Sequence, residues 1–561
     1  MNELLIRGAM VYDGTGAPGR LADVSVKDGR VAAIDEPGQG GAARETVDAG
    51  GLALMPGIVD NHTHYDAQVT WDPLCTPSPA LGVTTAVIGN CGFTIAPCRP
   101  GDRELIMRNL TQVEGMSLDV LRQGIAWEFE TIPEYLDFLD RRGSLVNLAA
   151  FVGHSSLRTF VMGEDAPRRA ATPDEIARMR ELVLEGMKAG AIGLPMPSRL
   201  ATDDELHSLV TSLKEVGHGL FMLTKGGHTK IDFLEKLAAD SGRPVVVAAL
   251  LHNSTNPGAV FADLDAIEAA RRRGRRMIGA ISPCPLTNDF TMHSPYPVEG
   301  LASWKPALSL KGEAFKAKLS EKAFRDAVRA EIASPAVFRL FNGEWHKVQV
   351  VEVKQERNRH FEHRTIAELA AEAGADPLDF MLDLALSEDL DTVFSAVLLN
   401  SDEEAVGRML RHPASLVSLS DAGAHLTFFN DAGFGLHLLG HWVRDRGVLS
   451  LPEAVRKLTS EPADLFGIQG RGRIAPGAWA DLLLFDPVTV NRGPKQRVFD
   501  LPGGSARLTT PAIGVHGVWV NGVRVAGAEG LEPAVVAAGS AAAKGTGPGK
   551  LPGRLLREFA A

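Results

Sequence analysis

"MPGIVDNHTHYDAQVTWDP", Met55 to Pro73, carries an apolar run into two histidines one residue apart, His62 and His64. Side chains on an extended segment alternate with a period of two, so His62 and His64 share a face and can approach one metal ion together. The pair supplies two ligands, and a working metal centre needs three or four. The others must come from elsewhere in the chain.

The run that ends in this pair is the first of eight. The others are "VTTAVIGNCG" (from Val83), "VNLAAFVGH" (Val146), "AIGLPMP" (Ala191), "GLFMLTKGG" (Gly219), "PVVVAALLHN" (Pro244), "RMIGAISPC" (Arg276) and "SLVSLSDAG" (Ser415). Their apolarity is continuous rather than alternating, as in parallel strands covered on both faces. Helical stretches separate them; in "TPDEIARMRELVLEGMKAG" a Thr N-cap, a Glu three residues on and a Gly stop frame a helix. Eight strands alternating with helices predict an α/β fold, a (β/α)8 TIM barrel over residues 57–471. The connection from the seventh run to the eighth is too long for a loop and predicts an insertion at about residues 285–390. A ninth run in that region, "DTVFSAVLLN", competes for a place in the barrel.

Both ends of the chain read differently. "LLIRGAMVYDGTG" and "DVSVKDGRVAAIDE" near the start, and "GRIAPGAWADLLLFDP" and "AIGVHGVWVNGVRVAG" near the finish, are short strands with turn signals such as Asn521-Gly522. Neither set buries much alone, so residues 1–56 and 472–530 are expected to build one composite β-sandwich. Residues 531–561 read as a Gly/Ala/Pro arm on the surface.

Composition narrows the partners. The 561 residues are 45% hydrophobic and 23% charged, ordinary for a globular protein. A net charge of -11 argues against nucleic acid or an anionic membrane. Four cysteines in so long a chain make no disulfide framework. The start has no signal-peptide pattern and no apolar run reaches a membrane span, so a cytoplasmic location is expected. A small molecule is the expected partner, with a homo-oligomer left open.

A parallel barrel carries its site at the C-terminal strand ends. Read in order, those ends bring His62 and His64, Cys91, His154, Met196, Thr224 and Lys225, His252, Cys284 and Asp421 to one mouth. Cys91 is either inert core or, beside two histidines, a metal thiolate. Strand eight closes on strand one, which places Asp421 opposite the histidine pair as ligand and proton acceptor; the competing role is a helix N-cap. His154 faces the mouth as a candidate substrate contact, and Tyr65 follows the histidine pair. Gly-x-Ser-x-Gly is absent, which removes serine hydrolases.

"MPGIVDNHTHYDAQVTWDP", "GVTTAVIGNCG", "SDAGAH", "AVRKLTSEPADLFGI" and "GRIAPGAWADLLLFDP" together resemble the amidohydrolase superfamily, most closely its D-aminoacylase (N-acyl-D-amino-acid deacylase) branch. The resemblance implies that His62 and His64 are strand-one metal ligands. It makes Cys91 the cysteine that stands in for a bridging carboxylated lysine, and Asp421 both ligand and general acid/base. Two positions depart from the pattern: Thr224 and Ala249 stand where the family's strand-five and strand-six histidines would hold a second metal. His228 and His252 replace those ligands only if their loops turn back. Lys225 can supply the charge of a missing strand-six lysine, and His252 and Tyr65 join it as substrate contacts. Two imidazoles, a thiolate and a carboxylate suit one Zn2+. The expected function is metal-dependent cleavage of an amide C–N bond in an N-acyl amino acid or related small molecule, Asp421 moving the proton. Hydrolysis of a cyclic amide, lactone or ester on the same site is the alternative, and a non-catalytic scaffold relative is the alternative of another class.

Overall fold

The computed structural model describes residues 1–196, 200–335, 339–545 and 551–561. Among these, all eight apolar runs form strands: β1 (Ile58–Asp60), β2 (Val83–Ile88), β3 (Asn147–Ala150), β4 (Gly193–Met196), β5 (Leu220–Leu223), β6 (Val245–Val247), β7 (Met277–Ile281) and β8 (Ser415–Val417). Every residue in them is buried, which is why the runs carry no polar alternation. Strands β1 to β3 pair in parallel, as do β4 to β8. The Ile192 amide donates to the Ala150 carbonyl at 2.8 Å and Val152 to Gly193 at 3.0 Å, joining β3 to β4. Closure comes from the Asn61 side-chain Nδ2 donating to the Val417 carbonyl at 2.9 Å and from a parallel bridge between Thr63 and Ala422. The result is a (β/α)8 barrel.

The intervening helices begin where their capping residues place them. Thr172 and Glu175 form a reciprocal capping box on helix Pro173–Lys188, and Thr131 with Glu134 does the same on Ile132–Arg142. Each satisfies two amides that the helix itself cannot.

The ninth apolar run lies outside the barrel. Val393–Leu399 is the middle strand of an antiparallel sheet with Leu286–Phe290 and Val348–Glu352. Its burial largely alternates, with Phe394, Ala396 and Leu398 inward, as on a sheet covered on one face. The chain divides into two compact units, one of residues 1–250, 263–283 and 409–561, the other of 251–262 and 284–408. The stretch read as an insertion falls in the second unit, whose core holds Trp304, Phe324, Phe341, Leu382 and Phe394.

The two ends of the chain meet in one nine-stranded sheet. Ala53–Pro56 pairs antiparallel with Leu482–Phe485 just before Gly57 hands the chain to β1. Leu4, Ile6, Val24, Leu54, Leu482 and Trp519 fill its core, each such side chain contributing about 1.5–3 kcal/mol by leaving water.

The C-terminal segment differs from the expected surface arm. Pro533–Lys544 is a helix, and the last residues dock onto the barrel, with Leu148 bridged to Leu555 and Ile468 to Phe559. Burial of Leu551 and Phe559 drives this docking, two apolar residues that the Gly/Ala/Pro reading passed over. Among the described residues no helix is long and apolar enough to cross a membrane.

Candidate metal centre

β1 ends at Asp60, so the histidine pair lies just beyond the strand. The following residues are tied to neighbouring segments, the Thr63 hydroxyl donating to the Val87 carbonyl at 2.8 Å and the His64 amide to the Ala422 carbonyl at 2.7 Å. Both imidazoles are buried, their ring centroids 5.3 Å apart. Cys91 sits on a tight turn after β2, between Gly89 (φ 88°) and Gly92 (φ 79°), and itself has φ 56°. Asp66 anchors that turn, its carboxylate accepting the Gly89 amide at 2.7 Å. Asp421 (φ 48°) lies on the loop after β8. Two donors thus sit in the left-handed region, a cost of roughly 1–2 kcal/mol each that clusters at working sites. Gly423 (φ +94°) is required here, since a Cβ would meet the His64 carbonyl carbon and oxygen at 2.7 Å.

The donor atoms converge. Those of His62, His64 and Cys91 lie within 4.8 Å of one another. Cys91 Sγ is 3.5 Å from His62 Nε2, and Asp421 Oδ1 is 3.2 Å from His62 Nε2 and 3.7 Å from His64 Nε2. Ligands on a tetrahedron with bonds of about 2.0–2.3 Å stand about 3.3–3.8 Å apart. The residues therefore fit a metal ion in spacing as well as in chemistry.

Electrostatics here reflects buried groups facing one another. Burial pulls His62 down to about 4. For His64 burial acts the same way, but Glu114 and Asp421 outweigh it and hold the imidazole well above its usual range. Burial would raise Asp421, yet His64 and His62 keep it well below the usual carboxylate range, so it is an anion at neutral pH.

Glu114 lies just past helix Arg103–Val113, and no sequence motif marks it. Its carboxylate is buried 3.3 Å from His64 Nδ1 and 4.0 Å from His425 Nε2, and its carbonyl accepts the His425 amide at 2.6 Å. A carboxylate behind a ligating imidazole fixes its orientation and raises its basicity. Replacing Glu114 with glutamine is expected to weaken metal binding about 10–100-fold. Competition against a chelator measures this, and an unchanged affinity would detach Glu114 from the metal.

The remaining sequence candidates lie elsewhere. His154 was expected to face the mouth; it is fully buried, donating to Glu205 at 2.7 Å, because it opens helix His154–Met162 and turns towards the neighbouring helix. Tyr65 is equally buried and shares a hydrogen bond with Ser78 at 2.6 Å. Lys225 donates to both carboxylate oxygens of Asp263, at 2.6 and 2.7 Å, so its charge is already paired. His252 lies in the second unit, its amide donating to Asn400 Oδ1 at 2.7 Å. His228 points to Asp203 at 2.9 Å in the open. Thr224 and Ala249 do line the pocket that holds the four donors, along with Met196, Met222, Ala248 and His425.

Residues 45–526 match the amidohydrolase family. A D-aminoacylase of Alcaligenes xylosoxydans xylosoxydans is 31% identical over 535 residues, covering 93% of this chain and 94% of its own. An N-acyl-D-aspartate deacylase of the same organism is 29% identical over 535 residues, 93% of this chain and 92% of its own. Among solved structures, the N-acyl-D-glutamate deacylase of Bordetella bronchiseptica, complexed with zinc and a phosphonate mimic of the tetrahedral intermediate, is similar with a TM-score of 0.66 and 26% identity, covering 99% of this chain and 100% of that one. A D-aminoacylase with a binuclear metal centre gives a TM-score of 0.67 at 26% identity, over 100% of both chains. With the family match spanning most of its length, the chain belongs to the amidohydrolase family, in its D-aminoacylase-like branch.

Proposed function

We propose that this metal-dependent hydrolase holds one Zn2+ on His62, His64, Cys91 and Asp421 and removes the acyl group from an N-acyl amino acid or related N-acyl small molecule. The observation that carries the reading is the spacing of the donors, with Asp421 anionic beside both imidazoles. A zinc ion bound there supplies Lewis acidity, polarising a carbonyl and lowering the pKa of a water molecule towards about 7. Asp421 takes the proton from the attacking water and delivers it to the leaving nitrogen, a transfer worth about 10²–10⁴ in rate. Thr224 and Ala249 offer no imidazole on the facing wall, which supports one ion rather than two. The four cysteines are all unbridged, in keeping with a reducing cytoplasm.

Elemental analysis and a substrate panel test the proposal together. One zinc per chain is expected, with turnover of N-acyl amino acids that is lost on chelation and restored by zinc. Two tightly bound ions would overturn the single site. Protein with no metal and no turnover would be a scaffold relative, and activity confined to cyclic amides, lactones or esters would replace the deacylase reading.

A further inference from the structure

Two cavities adjoin at the C-terminal ends of the barrel strands. The first, about 140 Å³, has the four metal donors on one side and Pro195, Met196, Met222, Ala248 and Ala249 among its other walls. The second, about 510 Å³, is lined by Phe93, Asn109, Ser155, Arg158, Thr159 and Leu200 among others, and Val113 and Thr224 line both. Topology orients a substrate in the first. Asp421 follows β8 and the histidines follow β1, whereas Met196 and Met222 lie on β4 and β5, halfway round an eight-stranded barrel. The leaving nitrogen must lie near Asp421 to receive its proton, so the acyl side of the scissile bond runs towards the two methionines. Met adapts to irregular apolar groups, and a cavity of about 150 Å³ accommodates benzene, so this compartment takes roughly six carbons.

A longer acyl group that continues from the first cavity into the second runs past Val113 and Thr224, which line both and stand exposed at their rim. Beyond them the character changes. Arg158 is buried and already neutralised, its Nη1 donating to both Glu205 oxygens at 2.6 Å and its Nη2 to the carbonyls of Ala166 and Arg169. What the second cavity offers a ligand is therefore hydrogen bonding from uncharged groups, the hydroxyls of Ser155 and Thr159 and the Asn109 amide, which donates to Thr159 Oγ1 at 3.5 Å, rather than a free cation for a carboxylate.

We propose that the cleft takes its acyl group in two compartments, an apolar one over Met196, Met222 and Ala249 and a hydrogen-bonding one over Asn109, Ser155 and Thr159, with Thr224 as the waist. The substrate class is a long N-acyl compound with an uncharged polar end on the acyl chain. This rests on the deacylase reading and adds the acyl specificity to it.

The test compares kcat/KM for N-acetyl, N-decanoyl and 10-hydroxydecanoyl derivatives of one amine, in the native enzyme and in Thr224→Phe. The native enzyme should favour the hydroxydecanoyl compound over the decanoyl one, and Thr224→Phe should lower the decanoyl-to-acetyl ratio by about tenfold or more, the scale at which a filled pocket discriminates. A merely structural effect would scale all three substrates alike and would overturn the two-compartment cleft, as would an unchanged ratio. Failure of the native enzyme to cleave any of the three would instead overturn the deacylase reading.

Discussion

Asp421→Asn is expected to lower kcat by about 10²–10⁴-fold in a chain that keeps its fold and its metal. Asparagine has nearly the same shape and retains a carbonyl oxygen where Oδ1 stands, 3.2 Å from His62 Nε2. What it lacks is the negative charge and the basic site that receives a proton. The native carboxylate is held anionic by His64 and His62 against the effect of burial, and an amide cannot take that role. Steady-state kinetics, zinc content and circular dichroism on one preparation separate the cases. Turnover within about tenfold of native, with metal retained, would remove Asp421 from the proton path. Loss of zinc with the fold intact would show that its larger contribution is as a ligand.

Glu205→Gln is expected to destabilise the chain by about 3–5 kcal/mol. Glu205 is fully buried between His154 and Arg158, and Arg158 Nη1 reaches both of its oxygens at 2.6 Å. The neutral amide would leave the guanidinium in the interior without a counter-charge. The pH dependence follows with a definite sign. Burial pushes the Glu205 carboxyl up, but His154 and Arg158 outweigh it and bring it below its ordinary 4.5. A depressed carboxylate adds stability that is fully present above its unfolded value and is lost as pH falls through the lower folded value. Denaturant titrations at neutral and acid pH should therefore show the gap between native and variant narrowing below about pH 4.5. A gap that is small at neutral pH, or that widens in acid, would contradict the ion pair.

Much of this molecule is legible locally. The His-x-His spacing brings both imidazoles to one side of the chain, their ring centroids 5.3 Å apart. Cys91 lies between Gly89 and Gly92 because its turn needs positive φ. The place of Val393–Leu399 is not legible this way: its residues are apolar except Ser395, and only the fold shows alternate ones half-buried.

Other residues could be placed only by contacts distant in sequence. Glu114 follows an ordinary amphipathic helix, and nothing nearby marks it; it meets His64 across fifty residues. His154 stands at a strand end as read, but Arg158, one helical turn on, and Glu205, from another helix, draw it inward. Lys225 looks like a free cation until Asp263 is folded beside it.

The sequence by itself determined the barrel, the candidate metal-ligating residue types and the family, because those depend on periodicity, glycine and short motifs. Only the tertiary structure decided which buried polar groups face the candidate metal site and which neutralise one another. That choice depends on distances between residues far apart in the chain, since a charge leaving water must find its partner wherever the fold brings one.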